Sequence, residues 1–195
     1  MLEEEGFIEA ATNRRSRVAG FAAEQLDSDY ASRILLESLA FDLTVRDLSP
    51  RDAASLLDLN NEMRKNAQND RIDQWFSIHA GFHERLTCGA NPTVLKQVRT
   101  YRDRSIRYIR TVQATSPGTW MTDGESEHSA IVEALMDGDR ALARTTLAEH
   151  LASTAYRVLS HLAADYDPVA VKGALSLVSD RGPLPDHPEL GRQVG

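Results

Sequence analysis

Cysteine is almost missing from this chain: Cys88 stands alone among 195 residues. A single thiol excludes an internal disulfide and any metal site built from thiolates. Long apolar runs are missing too. Nothing approaches the ~20 residues of a bilayer-spanning helix, and the acidic opening Met1-Leu2-Glu3-Glu4-Glu5 is unlike a signal peptide. The expected setting is cytoplasmic, without membrane contact. Positive charge is in deficit, with 22 Lys and Arg against 29 Asp and Glu, a net −7. The body of the protein is therefore not expected to attract nucleic acid non-specifically. The local exception is Arg14, Arg15 and Arg17, a basic cluster ahead of a mostly acidic stretch. Strand alternation is absent after Phe21, as is any internal repeat, which excludes a sheet-based body.

What is present is helical periodicity. Residues 1–24 stand apart: Leu2 to Gly6 reads as a last helical turn with a glycine stop, and two short strands then flank the basic turn. A lone hairpin buries too little to be stable by itself, so this segment reads as the edge of another domain. Ser28 is expected to cap a helix running to about residue 48, with Tyr30, Ile34, Leu35 and Leu39 on one stripe. Ser49-Pro50 opens a second helix, a third starts near Asp70, and Asn91-Pro92 caps a fourth reaching about Val112. Residues 113–122 read as a loop. A fifth helix over about 123–136 turns through Asp137-Gly138-Asp139 into a sixth, ending near Asp165. A short seventh follows Asp167-Pro168, and the proline-containing end reads as a tail. The expected fold is all-α, an antiparallel bundle of six or seven helices with an N-terminal hairpin.

Four of the six histidines fall on apolar helix faces. His79 and His83 are one turn apart on the third helix, beside Trp75, Phe82 and Leu86. His128 shares a face with Ile131, Val132 and Leu135, and His150 with Leu147, Thr154 and Val158. Two helices joined by the Asp137–Asp139 turn would bring the last two together. Neutral imidazole is a good ligand for zinc, nickel, iron or copper. Four buried histidines without a metal would need four separate hydrogen-bond arrangements. His79, His83, His128 and His150 are accordingly the expected metal ligands.

Two arginines also fall on inner stripes, Arg33 on the first helix and Arg102 on the fourth. A buried guanidinium keeps its proton and needs an anion. That anion is either an internal acid such as Glu37 or the carboxylate of a small ligand held beside the metal. A helical metalloenzyme is the competing reading. It needs an open coordination position and a general base, and the acids next to the histidines, Glu84 and Glu127, are expected to point away from them. No enzymatic activity is expected.

These residues resemble the FadR-like branch of the GntR family of transcription regulators, whose ligand-binding part is the all-helical FCD domain. The resemblance runs from about Leu2 to Asp165. Its motifs are Leu2 to Phe7, the basic turn through Arg17-Val18, and Tyr30 to Glu37 with Arg33 between them. They continue with Phe82-His83-Glu84-Arg85-Leu86 before Asn91-Pro92, and with Glu127-His128 through Gly138-Asp139 to His150-Leu151. It implies a remnant wing of a winged helix-turn-helix domain over 1–24, with Arg14, Arg15 and Arg17 as DNA contacts. An FCD-type effector-binding and dimerisation domain would follow over 25–166, then a short helix and tail over 167–195. The family's metal site joins one aspartate to three histidines. His83, His128 and His150 match the histidines, and His79 stands where the aspartate is expected. That change removes a negative charge and favours zinc or nickel over manganese or magnesium. The family's DNA-reading helices precede the wing, and this chain begins after nearly all of them. The implied function is effector sensing in a dimeric repressor. A metal and a small carboxylate would bind with help from Arg33 and Arg102, and operator DNA would be reached only through a full winged-helix domain.

Overall fold

The computed structural model describes residues 21–115 and 120–180, together with the backbone of two short strands. These strands, β1 (Ile8–Glu9) and β2 (Arg17–Val18), pair antiparallel with Ile8 opposite Val18. Seven helices make up the rest of the described chain: α1 (Ala23–Val45), α2 (Pro50–Gln68), α3 (Ile72–Thr87), α4 (Pro92–Thr115), α5 (Trp120–Met136), α6 (Arg140–Leu162) and α7 (Val169–Ser179). The all-α bundle expected from periodicity is the fold observed.

Local chemistry sets several of the boundaries. Ser49 and Asp52 form a reciprocal capping box, with Pro50 at the first helical position of α2. Asn91 Oδ1 accepts from the backbone N–H of Thr93 and Val94 at the start of α4, and Asp139 Oδ1 accepts from Leu142 N–H at the start of α6. The α5–α6 turn passes through Gly138 at φ +75°, a conformation that glycine adopts without strain. Gly89, after α3, is needed for another reason: a Cβ there would lie 2.7 Å from the Thr44 Cα. The end of α3 is thus seated directly on the α1 backbone.

Helix α1 is the central element, packed against α3, α4, α6 and α7, while α2 and α5 close the far side. Its start differs from expectation. It begins at Ala23, and Ser28 lies inside it without acting as a cap. Tertiary contacts account for the extra turn, since Leu26 is fully buried and Asp27 is tied to α7. The stripe also differs: Tyr30 and Ile34 are buried, but Leu35 and Leu39 face outward at 42% and 38% exposure. The inward set is Leu26, Tyr30, Arg33, Ile34, Glu37 and Phe41.

At the other end, α4 extends to Thr115 and α5 starts at Trp120, which narrows the expected loop of 113–122. Helix α7 is no loose appendage. Val171, Ala174 and Val178 are buried in the common core. Asp27 accepts from Ala170 and Val171 N–H at 3.0 and 2.8 Å and from the Tyr166 hydroxyl at 3.1 Å. Arg144 donates to the Val178 carbonyl at 3.2 Å. A carboxylate therefore meets the positive end of α7 and a guanidinium its negative end, both supplied by neighbouring helices. No described helix is long and apolar enough to cross a membrane.

Candidate metal centre

Helices α3, α5 and α6 bring four imidazoles to one point in the core. His79 and His83 come from successive turns of α3, His128 from α5 and His150 from α6, none more than 7% exposed. Ring centroids are 4.4 Å apart for His128 and His150, and 4.6 Å for His79 and His83. One nitrogen from each can be chosen so that all four lie within 4.8 Å of one another. Ligands on opposite sides of a metal lie about 4.2 Å apart, twice a ~2.1 Å bond. The set is thus within small side-chain movements of closing on one ion.

The hydrogen bonds around the rings support this use. His83 Nδ1 lies 3.2 Å from Glu37 Oε2, and His150 Nδ1 lies 2.7 Å from Glu127 Oε2. A carboxylate can only accept, so in both rings the proton sits on Nδ1 and the Nε2 lone pair is left for the cluster. His83 Nε2, His79 Nδ1 and both nitrogens of His128 are buried without a hydrogen-bond partner among the described residues. Leaving such atoms unsatisfied costs about 1–3 kcal/mol apiece. A metal ion would satisfy one nitrogen of each ring, so the residues present fit it.

Electrostatics keep His79, His83 and His128 neutral. Burial, reinforced by the neighbouring rings, holds His79 and His128 well below the usual histidine range. Burial also takes His83 down to about 4, although Glu37 partly opposes it. Neutral imidazole is the form that ligates. Burial would raise Glu37, but Arg33 and then His83 outweigh it and hold the carboxyl at about 2. Glu127 is likewise held at about 2 against its burial by His150, Ser153 and Arg157.

The remaining expected site residues divide. Arg33 lines the small cavity beside the rings, with Trp75, Ile109, Gly124, Thr154 and Arg157. Its guanidinium is engaged by the internal acid, Glu37 Oε1 at 2.8 Å, and by Ser105 Oγ at 3.1 Å. Arg102 does not line that cavity. It lines a separate cavity between α3 and α4 with Thr87, Leu95 and Val98, pairing with Glu84 at 3.6 Å and Asp103 at 3.4 Å. Arg102 and Ser105 share a face of α4, one turn apart, and the placement of α1 sets Ser105, not Arg102, opposite Arg33. The guanidinium that does line the cavity with Arg33 is Arg157, bound through two nitrogens to Glu127 at 3.2 and 3.1 Å. Its spacing of seven from His150 put it on the same helix face. Glu84 points away from the rings as expected, whereas Glu127 does not. It reaches sideways from α5 to α6. Trp75 stacks on His79 with centroids 4.7 Å apart and planes 17° apart. Arg14 and Arg15 lie outside the described residues, and of Arg17 only the backbone is described.

Four inward imidazoles from three helices, each within reach of one point, give this bundle a group of residues that could hold a metal ion. The sequence matches the FCD domain over residues 29–153, and the chain belongs to that family. No curated protein matches it. Among solved structures the fold is similar to that of E. coli McbR/YncC, with 18% sequence identity, a TM-score of 0.73, and coverage of 82% of this chain and 80% of that one. As an FCD domain the chain is the effector-binding part of a GntR-type transcription regulator, not an enzyme.

Proposed function

We propose that this domain senses a small organic acid through a bound divalent transition metal, zinc or nickel, as the effector-binding and dimerisation part of a repressor. His79, His83, His128 and His150 would hold the ion. The observation that carries the reading is the convergence of their ring nitrogens within 4.8 Å in a buried core. When bound, the metal supplies a concentrated positive charge that an anionic oxygen can meet.

Charge balance supports an anionic effector. Glu37 is paired with Arg33 and Glu127 with Arg157, so the carboxylates and guanidinia offset one another. Four neutral imidazoles leave the charge of a divalent ion uncompensated. A carboxylate is the ligand class that neutralises it, with Arg33 and Arg157 as donors at the cavity wall. The cavity offers about 20 Å³ to the centres of water-sized molecules, room for roughly one water. An organic acid therefore displaces lining side chains when it enters. Such a displacement, shared between α3, α5 and α6, is the event by which occupancy would be felt in the dimer. A coupling of about 1–3 kcal/mol corresponds to a 5- to 150-fold change in operator affinity. Operator DNA would be contacted through a full winged-helix domain, with Arg14, Arg15 and Arg17 on its wing meeting phosphates.

Elemental analysis of purified protein, followed by titration calorimetry of the metal-loaded domain with a panel of organic acids, tests this. The expected result is one ion per chain and saturable binding of at least one acid. An occupied site that binds none of them overturns the sensor reading, and the lack of any tightly held ion overturns the metal reading.

A further inference from the structure

A second concavity lies at the opposite end of α1 from the Asp27 contact. It is a groove of about 290 Å³ between the α1–α2 corner and the α5–α6 turn, lined by Val45, Leu48, Ala53, Leu135, Met136 and Arg140 among others. Its lining is mostly apolar, with Ser49 and Arg140 as the polar side chains, and Met136 is 59% exposed there. Its far wall joins the two helices that carry His128 and His150.

The direction of α7 supplies an occupant. Its first turn is bound to Asp27, early in α1, and its last turn to Arg144, whose other amino nitrogen lies 3.6 Å from Asp42, late in α1. Helix α7 therefore runs parallel to α1 and releases the chain toward the groove. Val45 is three residues beyond Asp42, about 4.5 Å along the axis, and Arg140 is four residues, about 6 Å, back from Arg144. The segment after Asp180 reads Arg-Gly-Pro-Leu-Pro-Asp, residues 181–186. Four extended residues span up to about 13 Å, so Leu184 is within reach of the groove.

The chemistry also matches. Leu184 stands between two prolines in the sequence, which limit the freedom lost on docking, and the acids Asp186 and Glu189 that follow it are opposite in charge to Arg140. We propose that residues 183–186 dock in this groove, with Leu184 against Val45, Leu48 and Met136 and Asp186 near Arg140. A tether this short gives an effective concentration in the millimolar range, so weak intrinsic affinity is enough. The proposal does not rest on the metal or effector reading.

The test uses the full chain with a nitroxide spin label on Ala54→Cys in a Cys88→Ser background, Ala54 being exposed and part of the groove lining. Docking predicts loss of the Leu184 and Asp186 amide signals by paramagnetic broadening, while that of Gln193 persists. Adding Leu184→Asp should restore them with an unaltered circular dichroism spectrum. Equal intensity at Leu184, Asp186 and Gln193 overturns the proposal, as does broadening that survives Leu184→Asp. Broadening seen when isotope-labelled chains without nitroxide are mixed with spin-labelled ones overturns it in favour of a second copy's tail.

Discussion

Glu37 Oε2 sits 3.2 Å from His83 Nδ1 while Oε1 of the same carboxylate binds Arg33 at 2.8 Å, all three side chains being buried. One carboxylate thus neutralises the core's arginine and fixes the tautomer of a candidate ligand. Its removal is expected to have two separable effects. In Glu37→Gln the Arg33 charge loses its partner, and breaking such a pair costs about 3–5 kcal/mol. Metal affinity should also drop about 10- to 100-fold, because His83 is no longer oriented. Glu127→Gln removes the same support from His150 at a less buried place, so affinity should fall similarly with a smaller loss of stability. Thermal melts of metal-free protein and competition titrations with a chelating dye read the two effects apart. Equal stability losses in the two variants would contradict this division.

The metal-free protein is expected to lose stability as pH falls from neutrality, in two stages. His83 titrates near 4 in the fold and near 6.5 when unfolded. Between those values the unfolded chain binds the extra proton, so stability is full above about 6.5 and declines toward 4. His79 and His128, also depressed, act with the same sign. Glu37 is held at about 2 against an ordinary value near 4.3. Its contribution is present above that ordinary value and is lost as pH falls toward 2. Denaturant melts at closely spaced pH values should therefore show declining stability well before the carboxylate range. A flat profile between pH 7 and 5 would mean that the rings are not held neutral by burial.

Helix α7 should be released by a single change. Asp27→Ala removes the acceptor for the Tyr166 hydroxyl and for the N–H groups of Ala170 and Val171. Val171 N–H is buried, and an unsatisfied donor of that kind costs about 1–3 kcal/mol. Hydrogen exchange is expected to accelerate across 169–179 while α3 and α6 keep their protection near the histidines. Unchanged exchange in α7 would show that its apolar contacts alone hold it.

Periodicity and caps made much of this legible. Ser49-Pro50, Asn91-Pro92 and Asp139 mark helix starts through chemistry confined to four residues, and the structure uses all three. The inward histidines were readable because each shares a face with Leu, Ile, Val or aromatic neighbours. What failed depended on partners far away in sequence. Ser28 was passed over as a cap because Leu26 and Asp27 find their contacts in the tertiary fold. Arg102 and Ser105 differ by three residues on α4, and only the position of α1 decides which meets Arg33. Sequence position sets Glu127 away from His128, its neighbour, but its partner is His150 on another helix. Helical phase says which face a residue occupies and does not say how far a long polar side chain reaches around it.

His79 is where metal choice should be decided. It stacks on Trp75 and completes a set made only of neutral nitrogen donors. Such a set prefers zinc, nickel or copper, whereas manganese and magnesium favour carboxylate oxygens. His79→Asp replaces a neutral nitrogen with a charged oxygen at the same place on α3. The variant is expected to weaken nickel binding and strengthen manganese binding, so that the ratio of their affinities narrows by an order of magnitude or more. It also lowers the net positive charge of the loaded site, so binding of a carboxylate should weaken even when metal occupancy is matched. Trp75 fluorescence should respond to metal in the parent through its contact with the His79 ring, and less in the variant. An affinity ratio that does not move would mean that His79 packs against the site without joining it, leaving three histidines to define the metal preference.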